Sequence, residues 1–215
     1  MQEYLIVTGI VIKSQPVGES DRRITLLTNS RGKIGVFARG ARKPTSRFSG
    51  TTGSFCFGTF KLYEGRDSYT LAEADISNYF EDLMTDVEGA SYAAYFAEVA
   101  DYYCRENNDE RDMMKLFYQS LRALINENIP NRLIKSVYEI KALVVNGEYP
   151  GVPENANVSD GVRMAMEHIA MSRIEKLYTF VLSDESMDEL ARIADKYREK
   201  YMDTHFKSLE ILEML

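Results

Sequence analysis

The sequence predicts an α+β fold, with a small five-stranded β-barrel in residues 1–80 followed by an all-α domain in residues 81–215. Up to about Tyr79 the apolar residues alternate with a period of 2, and afterwards they recur with the 3.6-residue period of a helix. The charge changes at the same place, because residues 1–80 carry a net charge of +4 and residues 81–215 carry −11, which together give the −7 of the whole chain. This division predicts two parts with different partners.

Five segments rich in Val, Ile, Phe and Thr are the predicted strands. YLIVTGIVIKS comes first, and RRITLLT and KIGVFA are separated by a turn at Asn29–Gly32, so that Arg22–Ala38 forms a hairpin. GSFCFGTFKLYEG and DSYTLAEADIS supply the last two strands. Five short strands within about 80 residues favour a closed barrel of the oligonucleotide-binding (OB) type, with a small SH3-like barrel as the alternative.

The second part contains three amphipathic helices, a loop and two further helices. The helix after Pro130 ends at Gly147, and the loop of residues 147–161 precedes predicted helices over Val162–Leu182 and Ser186–His205. The aromatic spacing in the first helix is the spacing of a packed face, so we expect these rings in a core rather than on a base-stacking surface. The stripes of the three helices are Tyr92, Tyr95, Phe96, Val99, Tyr102 and Tyr103; Met113, Leu116, Phe117, Leu121 and Leu124; and Leu133, Val137, Ile140 and Val144.

Positive charge is concentrated between Arg22 and Arg47. This segment contains eight lysines and arginines and no aspartate or glutamate. Nucleic acids are polyanions that release condensed counterions when cations neutralise their phosphates, so the segment predicts phosphate binding. A merely solvated surface usually mixes both signs, which makes that interpretation weaker. The candidate binding residues are Arg22, Arg23, Arg31, Lys33, Arg39, Arg42, Lys43 and Arg47.

Four phenylalanines are interleaved with these cations or follow them. We expect most of them to fill the barrel, while one or two stack on nucleobases. They are Phe37, Phe48, Phe55 and Phe57.

The sequence contains no P-loop, HExxH, GxSxG or CxxC motif. His168 and His205 lie 37 residues apart, where solvated or capping roles are expected. Glu19 and Asp21 form an acidic pair that could hold Mg²⁺, although pairing with neighbouring arginines is the simpler interpretation. We therefore predict a protein that is not an enzyme and has no cofactor.

Two cysteines, Cys56 and Cys104, are too few for a disulfide framework, and we expect buried free thiols. The N-terminal apolar run has no basic residue before it, and no window approaches 18 uncharged apolar residues. We predict neither a signal peptide nor a membrane span, and a cytoplasmic location.

The segment GIVIKSQPVGESDRRITLLTNSRGKIGVFARGARKPTSRFSG, residues 9–50, resembles the N-terminal part of the RecO family of bacterial DNA repair proteins. The motifs GESDR, LT, GK, ARGARK and SR occur in the family's order and spacing. LYEGRDSYTLAEADI resembles the last barrel strands of the family and HFKSLEIL its closing segment, so the resemblance covers almost the whole chain.

The resemblance implies an OB barrel, a helical domain and a recombination-mediator function near the nucleoid. It implies binding of single- and double-stranded DNA, annealing of complementary strands, and partnership with RecR and the single-strand-binding protein in loading the recombinase. The charge pattern alone adds Arg23 and Arg31 to the family's basic positions. Those positions correspond here to Arg22, Lys33, Arg39, Arg42, Lys43 and Arg47.

One departure from the family concerns zinc. Many members carry two CxxC pairs after the third helix of the helical region, where this chain has the short loop Gly147–Gly161 without cysteine or histidine. A structural zinc site needs four convergent ligands. We therefore predict no bound zinc and leave open the partner contacts that a zinc knuckle would make.

Three alternatives to the DNA-repair interpretation differ in what they predict for binding. An RNA-binding or translation-associated barrel protein would prefer RNA in competition, a nuclease using Glu19 and Asp21 would release products with Mg²⁺, and an interaction scaffold would show no salt-sensitive DNA binding. The change of charge and period also predicts that a fragment ending near Ser77–Glu81 folds and binds DNA.

Overall fold

The computed structural model describes residues 4–66, 68–153, 158–212 and 214. Part of the loop at which the family's zinc knuckle would lie, residues 154–157, falls outside this description. The strands are β1 (Tyr4–Val17), β2 (Asp21–Thr28), β3 (Gly32–Ala38), β4 (Phe57–Glu64) and β5 (Tyr69–Asn78). The helices are α1 (Glu81–Thr85), α2 (Val87–Tyr103), α3 (Arg111–Leu124), α4 (Asn131–Val145), α5 (Asp160–Met171), α6 (Asp184–Tyr201) and α7 (Lys207–Leu212).

The five strands form a closed barrel in the order β1-β2-β3-β5-β4. The long strand β1 closes it, because it pairs antiparallel with β2 on one side and with β4 on the other. The register of β1 against β2 shifts between Val11 and Lys13, and such a bulge bends a strand between two partners. β3 and β5 meet in a short parallel pairing. The predicted α+β class and five-stranded OB-type barrel are confirmed.

Alternate residues of the strands point into the barrel and form one apolar core. The alternation of buried and exposed positions in β3 and β4 follows the period of 2 seen in the sequence. The inward residues include Val7, Val11, Ile24, Leu26, Ile34, Val36, Phe60, Leu62 and Leu71.

The long connection between β3 and β4, residues 39–56, packs as part of the barrel. Ala41 and Phe48 join the barrel core. At its far end Phe55 N donates to Val11 O (2.7 Å) and Val11 N donates to Cys56 O (3.0 Å), which ties the connection to β1 at the bulge. The basic residues in this connection therefore start from fixed backbone positions.

The described chain falls into two compact units. The first, here called the barrel unit, contains Met1–Glu81 together with Ala100–Met114, and the second, the helical unit, contains Asp82–Val99 and Lys115–Leu215. The end of α2 and the start of α3 thus belong with the barrel. The domain boundary at residues 80 and 81, taken as the limit of an independently folding part, stays a prediction.

Segment 100–114 is bonded to the first residues of β3. Lys33 N donates to Arg105 O (3.0 Å), and Gly32 forms a β-bridge with Glu106. Gly32 has a φ of +64°, and a Cβ at this position would lie 2.2 Å from Arg105 O. Only glycine satisfies both the left-handed backbone and the close approach.

The helical unit buries most of the predicted apolar stripes that lie within it, while Tyr92 and Val144 are partly buried. Its core rings Phe96 and Tyr138 are stacked with centroids 4.2 Å apart, and Tyr138 Oη donates to Phe96 O (2.8 Å). The predicted core positions that are buried here are Tyr95, Phe96, Val99, Leu116, Phe117, Leu121, Leu124, Leu133, Val137 and Ile140.

The prediction of one helix over Val162–Leu182 is wrong, since α5 ends at Met171 and only a 3₁₀ turn, Ile174–Lys176, follows. The buried Lys141 ammonium accounts for the break, because it donates to the carbonyls of Ile169, Ala170 and Ser172. A cation that gathers the last carbonyls of a helix stabilises its end.

A charged network joins α2, α4 and α6 inside the helical unit. The fully buried Glu139 accepts a hydrogen bond from Tyr95 Oη (2.5 Å) and lies 3.1 Å from Lys135 Nζ and 3.4 Å from Arg198 Nε. Asp195 completes it with Lys135 (2.8 Å). Although burial lowers the pKa of Lys135, the neighbouring Glu139 and Asp195 carboxylates raise it by more, so the net shift is upward.

Candidate nucleic-acid interface

The eight predicted cations lie on the β2–β3 hairpin and on the connection after it. Five of them are exposed and three are partly buried. The exposed residues are Arg23, Arg39, Arg42, Lys43 and Arg47, and the partly buried ones are Arg22, Arg31 and Lys33.

Arg39, Arg42, Lys43 and Arg47 define a surface that we call the basic loop. Three hydrogen bonds hold its start to the β1–β2 turn: Gly40 N donates to Asp21 Oδ1 (2.7 Å), Arg42 N to Ser20 O (2.8 Å) and Arg42 Nη1 to Gly18 O (2.9 Å). The loop is therefore pre-ordered, and Asp21 serves it as a backbone acceptor. Binding a polyanion to an ordered cationic loop costs less conformational entropy than ordering a free tail.

Arg47 is fixed at the other end of the basic loop. Its Nη2 donates to Ala72 O of β5 (2.7 Å), and its guanidinium lies 4.8 Å from the centroid of the Phe48 ring. Both interactions leave further N–H donors of the guanidinium for an anion, because Arg carries five.

The three partly buried cations have internal surroundings. Arg22 Nη1 donates to Ser14 Oγ (3.0 Å). Lys33 Nζ forms an ion pair with Asp101 (2.8 Å), so its charge is partly neutralised within the barrel unit. The prediction that Arg22, Arg31 and Lys33 contact DNA stays a prediction, and the exposed cations are better placed to reach phosphates.

A row of side chains crosses the outer surface of the barrel beside the basic loop. Residues directly opposite each other on neighbouring strands point to the same face. Successive strand pairings therefore place six side chains in one line. In order across the barrel they are Tyr4, Tyr63, Thr70, Phe37, Arg23 and Gln15. We call these six residues the outer row. It contains three aromatic rings and one arginine and no acid.

An open depression of about 520 Å³ lies against the outer row. A volume of this size falls within the range of about 300–1,000 Å³ that is typical of small-molecule sites. Its lining combines an aromatic ring, hydroxyl groups, a cation of the basic loop and one acid. The lining residues are Asp21, Phe37, Arg39, Ser68 and Thr70.

The four phenylalanines of this region divide equally between buried and partly exposed positions, so fewer are buried than expected. Phe48 and Phe55 are buried. Phe37 points outward and is partly exposed, with the Arg23 guanidinium carbon 5.6 Å from its ring centroid. Phe57 is partly exposed at the start of β4. Phe37 is therefore the ring of this set that lies beside exposed cations on the barrel surface.

Among the described residues, no group of three or more His, Cys, Asp or Glu side chains is arranged to hold a metal ion. His205 is exposed and 3.2 Å from Glu210, and His168 lies beside Ser172 on α5. Both cysteines are buried free thiols, as predicted.

In the described part of the chain, no helix combines the length and apolar character that crossing a bilayer requires.

Sequence reasoning missed most of the outer row. Pairing of β1 with β2 places Gln15 beside the hairpin, whereas Thr70, Tyr63 and Tyr4 follow through the pairings of β3 with β5, β5 with β4 and β4 with β1. The alternation within each strand shows which residues share a face, but it does not show which strands are neighbours.

Residues 1–80 match the family model described as "Recombination protein O N terminal", and residues 84–156 match "Recombination protein O C terminal". The two matches together cover more than half of the chain. The chain belongs to the RecO family.

Relatives named "DNA repair protein RecO" match over nearly the full length. The protein of Acetivibrio thermocellus is 28% identical over 244 residues, covering 99% of this chain and 97% of the relative. That of Bacillus subtilis is 28% identical over 238 residues, covering 96% and 93%, and that of Clostridium novyi is 25% identical over 237 residues, covering 96% and 93%. The RecO resemblance is confirmed, and the relatives are named as DNA repair proteins.

Proposed function

We propose that this RecO-family chain is a recombination mediator that binds single- and double-stranded DNA through the barrel unit and anneals complementary strands. The observation that carries the proposal is the basic loop, four exposed cations held in place by hydrogen bonds to the β1–β2 turn and to β5. Exposed Arg23 extends the same positive surface onto the hairpin.

Annealing follows from the physics of such a surface. Two DNA strands repel each other through their phosphates, and cations that neutralise phosphates on both strands reduce this repulsion while releasing counterions. Because phosphate contacts carry no base information, the proposed binding is independent of sequence.

We further propose that the helical unit provides surfaces for RecR and the single-strand-binding protein, so that the chain helps to load the recombinase at the nucleoid. The charge of the helical unit supports this assignment, since its residues 82–99 and 115–215 hold 13 lysines and arginines and 20 acids, a net charge of −7 that would repel DNA at long range. The helical residues are then available for protein partners.

A binding and annealing experiment tests the proposal. The complete chain is titrated with fluorescent DNA of about 12 nucleotides, single- and double-stranded, between about 50 and 200 mM salt. We expect affinity to fall steeply with salt and annealing of complementary strands to accelerate. An RNA competitor that displaces DNA at a lower concentration than unlabelled DNA would favour the RNA-binding alternative, and binding absent at all salt concentrations would contradict the proposal.

The partner assignment has its own test. Purified RecR and single-strand-binding protein are passed over the immobilised complete chain, in the presence of nuclease to remove bridging DNA. Retention of both proteins is the expected result. If neither is retained, the mediator assignment fails while the DNA-binding part stands.

A further inference from the structure

We propose that Phe37 and Arg23 form a base-stacking position, and that a single strand crosses the barrel along the outer row, with its unpaired bases against the aromatic rings. This inference rests on the proposed DNA binding and adds recognition of unpaired bases to the recognition of phosphates. It would make the barrel distinguish single-stranded from double-stranded DNA.

The local geometry of Phe37 is the first step. Its side chain lies on the outer face of β3, opposite Arg23 on β2. The Arg23 guanidinium also packs over Gly35 of β3, since a Cβ at Gly35 would lie 3.5 Å from Arg23 Nη2 and 3.7 Å from Arg23 Nε. The guanidinium therefore lies close to the backbone of β3 next to the ring. An aromatic ring flanked by an arginine plane is a combination on which nucleobases stack.

The depression beside Phe37 is the second step. It is lined by Phe37 and Thr70 of the outer row and by Arg39 of the basic loop. A nucleotide placed there would have its base against the ring and its phosphate near a cation. Asp21 also lines the depression, but its Oδ1 already accepts the hydrogen bond of Gly40 N, which reduces its repulsion of a phosphate.

The continuation of the outer row is the third step. Tyr63 lies two strands from Phe37, a separation of about 10 Å at the usual strand spacing. Its hydroxyl is 2.8 Å from that of Tyr4, and the two rings lie 4.6 Å apart, with Lys61 Nζ 4.1 Å from the Tyr4 centroid. A second aromatic position thus follows the first across the barrel surface, and its Lys61 is paired with Glu73 (3.3 Å). A strand crossing several β-strands would meet both.

Base-bearing and abasic oligonucleotides test the inference without any mutation. An oligothymidylate of about 12 nucleotides and an abasic strand of equal length carry the same phosphates. Since stacking contributes a factor of about 10 per base, we expect the complete chain to bind the base-bearing strand at least about 10-fold more tightly. Equal affinities would overturn the inference. Absence of salt-sensitive binding to either strand would instead contradict the proposed DNA binding.

Phe37 itself is tested with a matched set of variants. Phe37→Leu keeps an apolar side chain but removes the ring, so we expect it to lose most of the preference for the base-bearing strand while the salt dependence and duplex affinity stay unchanged. Phe37→Tyr should keep the preference. Tyr79→Ala removes a 40% exposed ring beyond the end of β5 and should have no effect. A Phe37→Leu variant with the full preference would overturn the assignment.

Fluorescence gives a direct measurement of stacking. The chain contains no tryptophan, so Phe37→Trp carries the only indole. We expect the base-bearing strand to quench its emission and the abasic strand to leave it nearly unchanged, whereas neither strand should quench Tyr79→Trp. Equal quenching of both tryptophans would contradict a specific stacking position at Phe37.

Discussion

At the residue scale, the absence of a side chain at Gly32 allows segment 100–114 to pack against the start of β3. It combines a φ of +64° with a backbone oxygen, Arg105 O, where a Cβ would stand. Gly18 has a similar φ of +56°, but a Cβ there would meet nothing within 4 Å. Substitution of Gly18 therefore measures the free-energy cost of the left-handed backbone alone, whereas substitution of Gly32 adds the cost of a steric clash.

We expect Gly32→Ala to lower the free energy of unfolding of the barrel unit by about 3 kcal/mol or more, and Gly18→Ala by about 1 kcal/mol. The difference arises because the 2.2 Å approach cannot be relieved by a flexible side chain. Urea denaturation followed by circular dichroism measures both variants. Equal losses would show that the contact with Arg105 contributes nothing.

Cys104 makes the stability of the barrel unit depend on pH in the alkaline range. Burial raises the pKa of its thiol, and the neighbouring Glu110 carboxylate raises it further. The folded state therefore keeps the proton at pH values at which the unfolded chain, with an ordinary thiol pKa of about 8.5, releases it. A raised pKa stabilises the fold below the unfolded value, and this stability is lost as the pH rises above it.

We expect the free energy of unfolding to fall between about pH 8.5 and 10 by up to about 1.4 kcal/mol per pH unit from this group. The comparison is between the unmodified chain and Cys104→Ala, which should show a shallower decline. Cys56, whose pKa burial also raises, is present in both and cancels. A decline of unchanged steepness in Cys104→Ala would contradict the assignment.

At the element scale, the basic loop is the part of the fold on which the proposed function depends. If about four of its cations contact phosphates of a single strand, the logarithm of the binding constant should fall with the logarithm of salt at a slope near −2.8, so that a fourfold rise in salt weakens binding about 50-fold. The bonds from Gly40 N to Asp21 Oδ1 and from Arg42 N to Ser20 O use backbone donors of the loop, so they remain when its side chains are changed to alanine, whereas Arg42→Ala removes the bond from Arg42 Nη1 to Gly18 O.

We expect the triple change of Arg39, Arg42 and Lys43 to alanine to flatten the salt slope by about two units and to weaken binding of all sequences alike. Folding should persist, because exposed charges usually contribute less than about 0.5 kcal/mol each. Fluorescence anisotropy at several salt concentrations measures the slope.

A second triple variant with the same change in charge is the control. Arg163, Lys196 and Lys207 are exposed cations of the helical unit, and their change to alanine should leave the slope unchanged. Equal slopes in both triple variants would show that the basic loop is not where DNA binds.

At the scale of the whole molecule, each unit has its own core and its own buried polar contacts. In the helical unit the network around Glu139 links three helices, and removing one partner from a buried ionic group leaves uncompensated charge. The exposed pair Arg132–Asp188 joins α4 and α6 as well, but in contact with solvent, which screens it.

We therefore expect Glu139→Gln to lower the free energy of unfolding of the helical unit by about 3 kcal/mol, and Asp188→Asn by less than about 1 kcal/mol. Thermal and urea denaturation followed by circular dichroism compare the two. A loss below about 1 kcal/mol in Glu139→Gln would indicate that solvent reaches the network and screens it.

The barrel unit consists of two separate segments, and truncation of the chain tests whether the first segment suffices. A fragment ending at Glu81 contains all eight cations and should fold and bind DNA, but it lacks Asp101, whose carboxylate pairs with Lys33, and Arg105, whose carbonyl accepts from Lys33 N. We expect its melting temperature to lie below that of the barrel unit in the complete chain. A fragment that folds and does not bind DNA would place the binding surface partly outside residues 1–81.

The five strands, the helices α2, α3 and α4 that follow them, the two-part organisation of charge and the concentration of cations between Arg22 and Arg47 can all be read from the sequence alone, because period and composition are local properties. The sequence did not show that Lys33 is paired with Asp101, that α5 ends at Met171 or that segment 100–114 belongs with the barrel. The outer row also required the tertiary structure. Its six residues become neighbours only when β3 pairs with β5 and β1 closes the barrel on β4, and strand pairing depends on contacts between residues distant in the sequence.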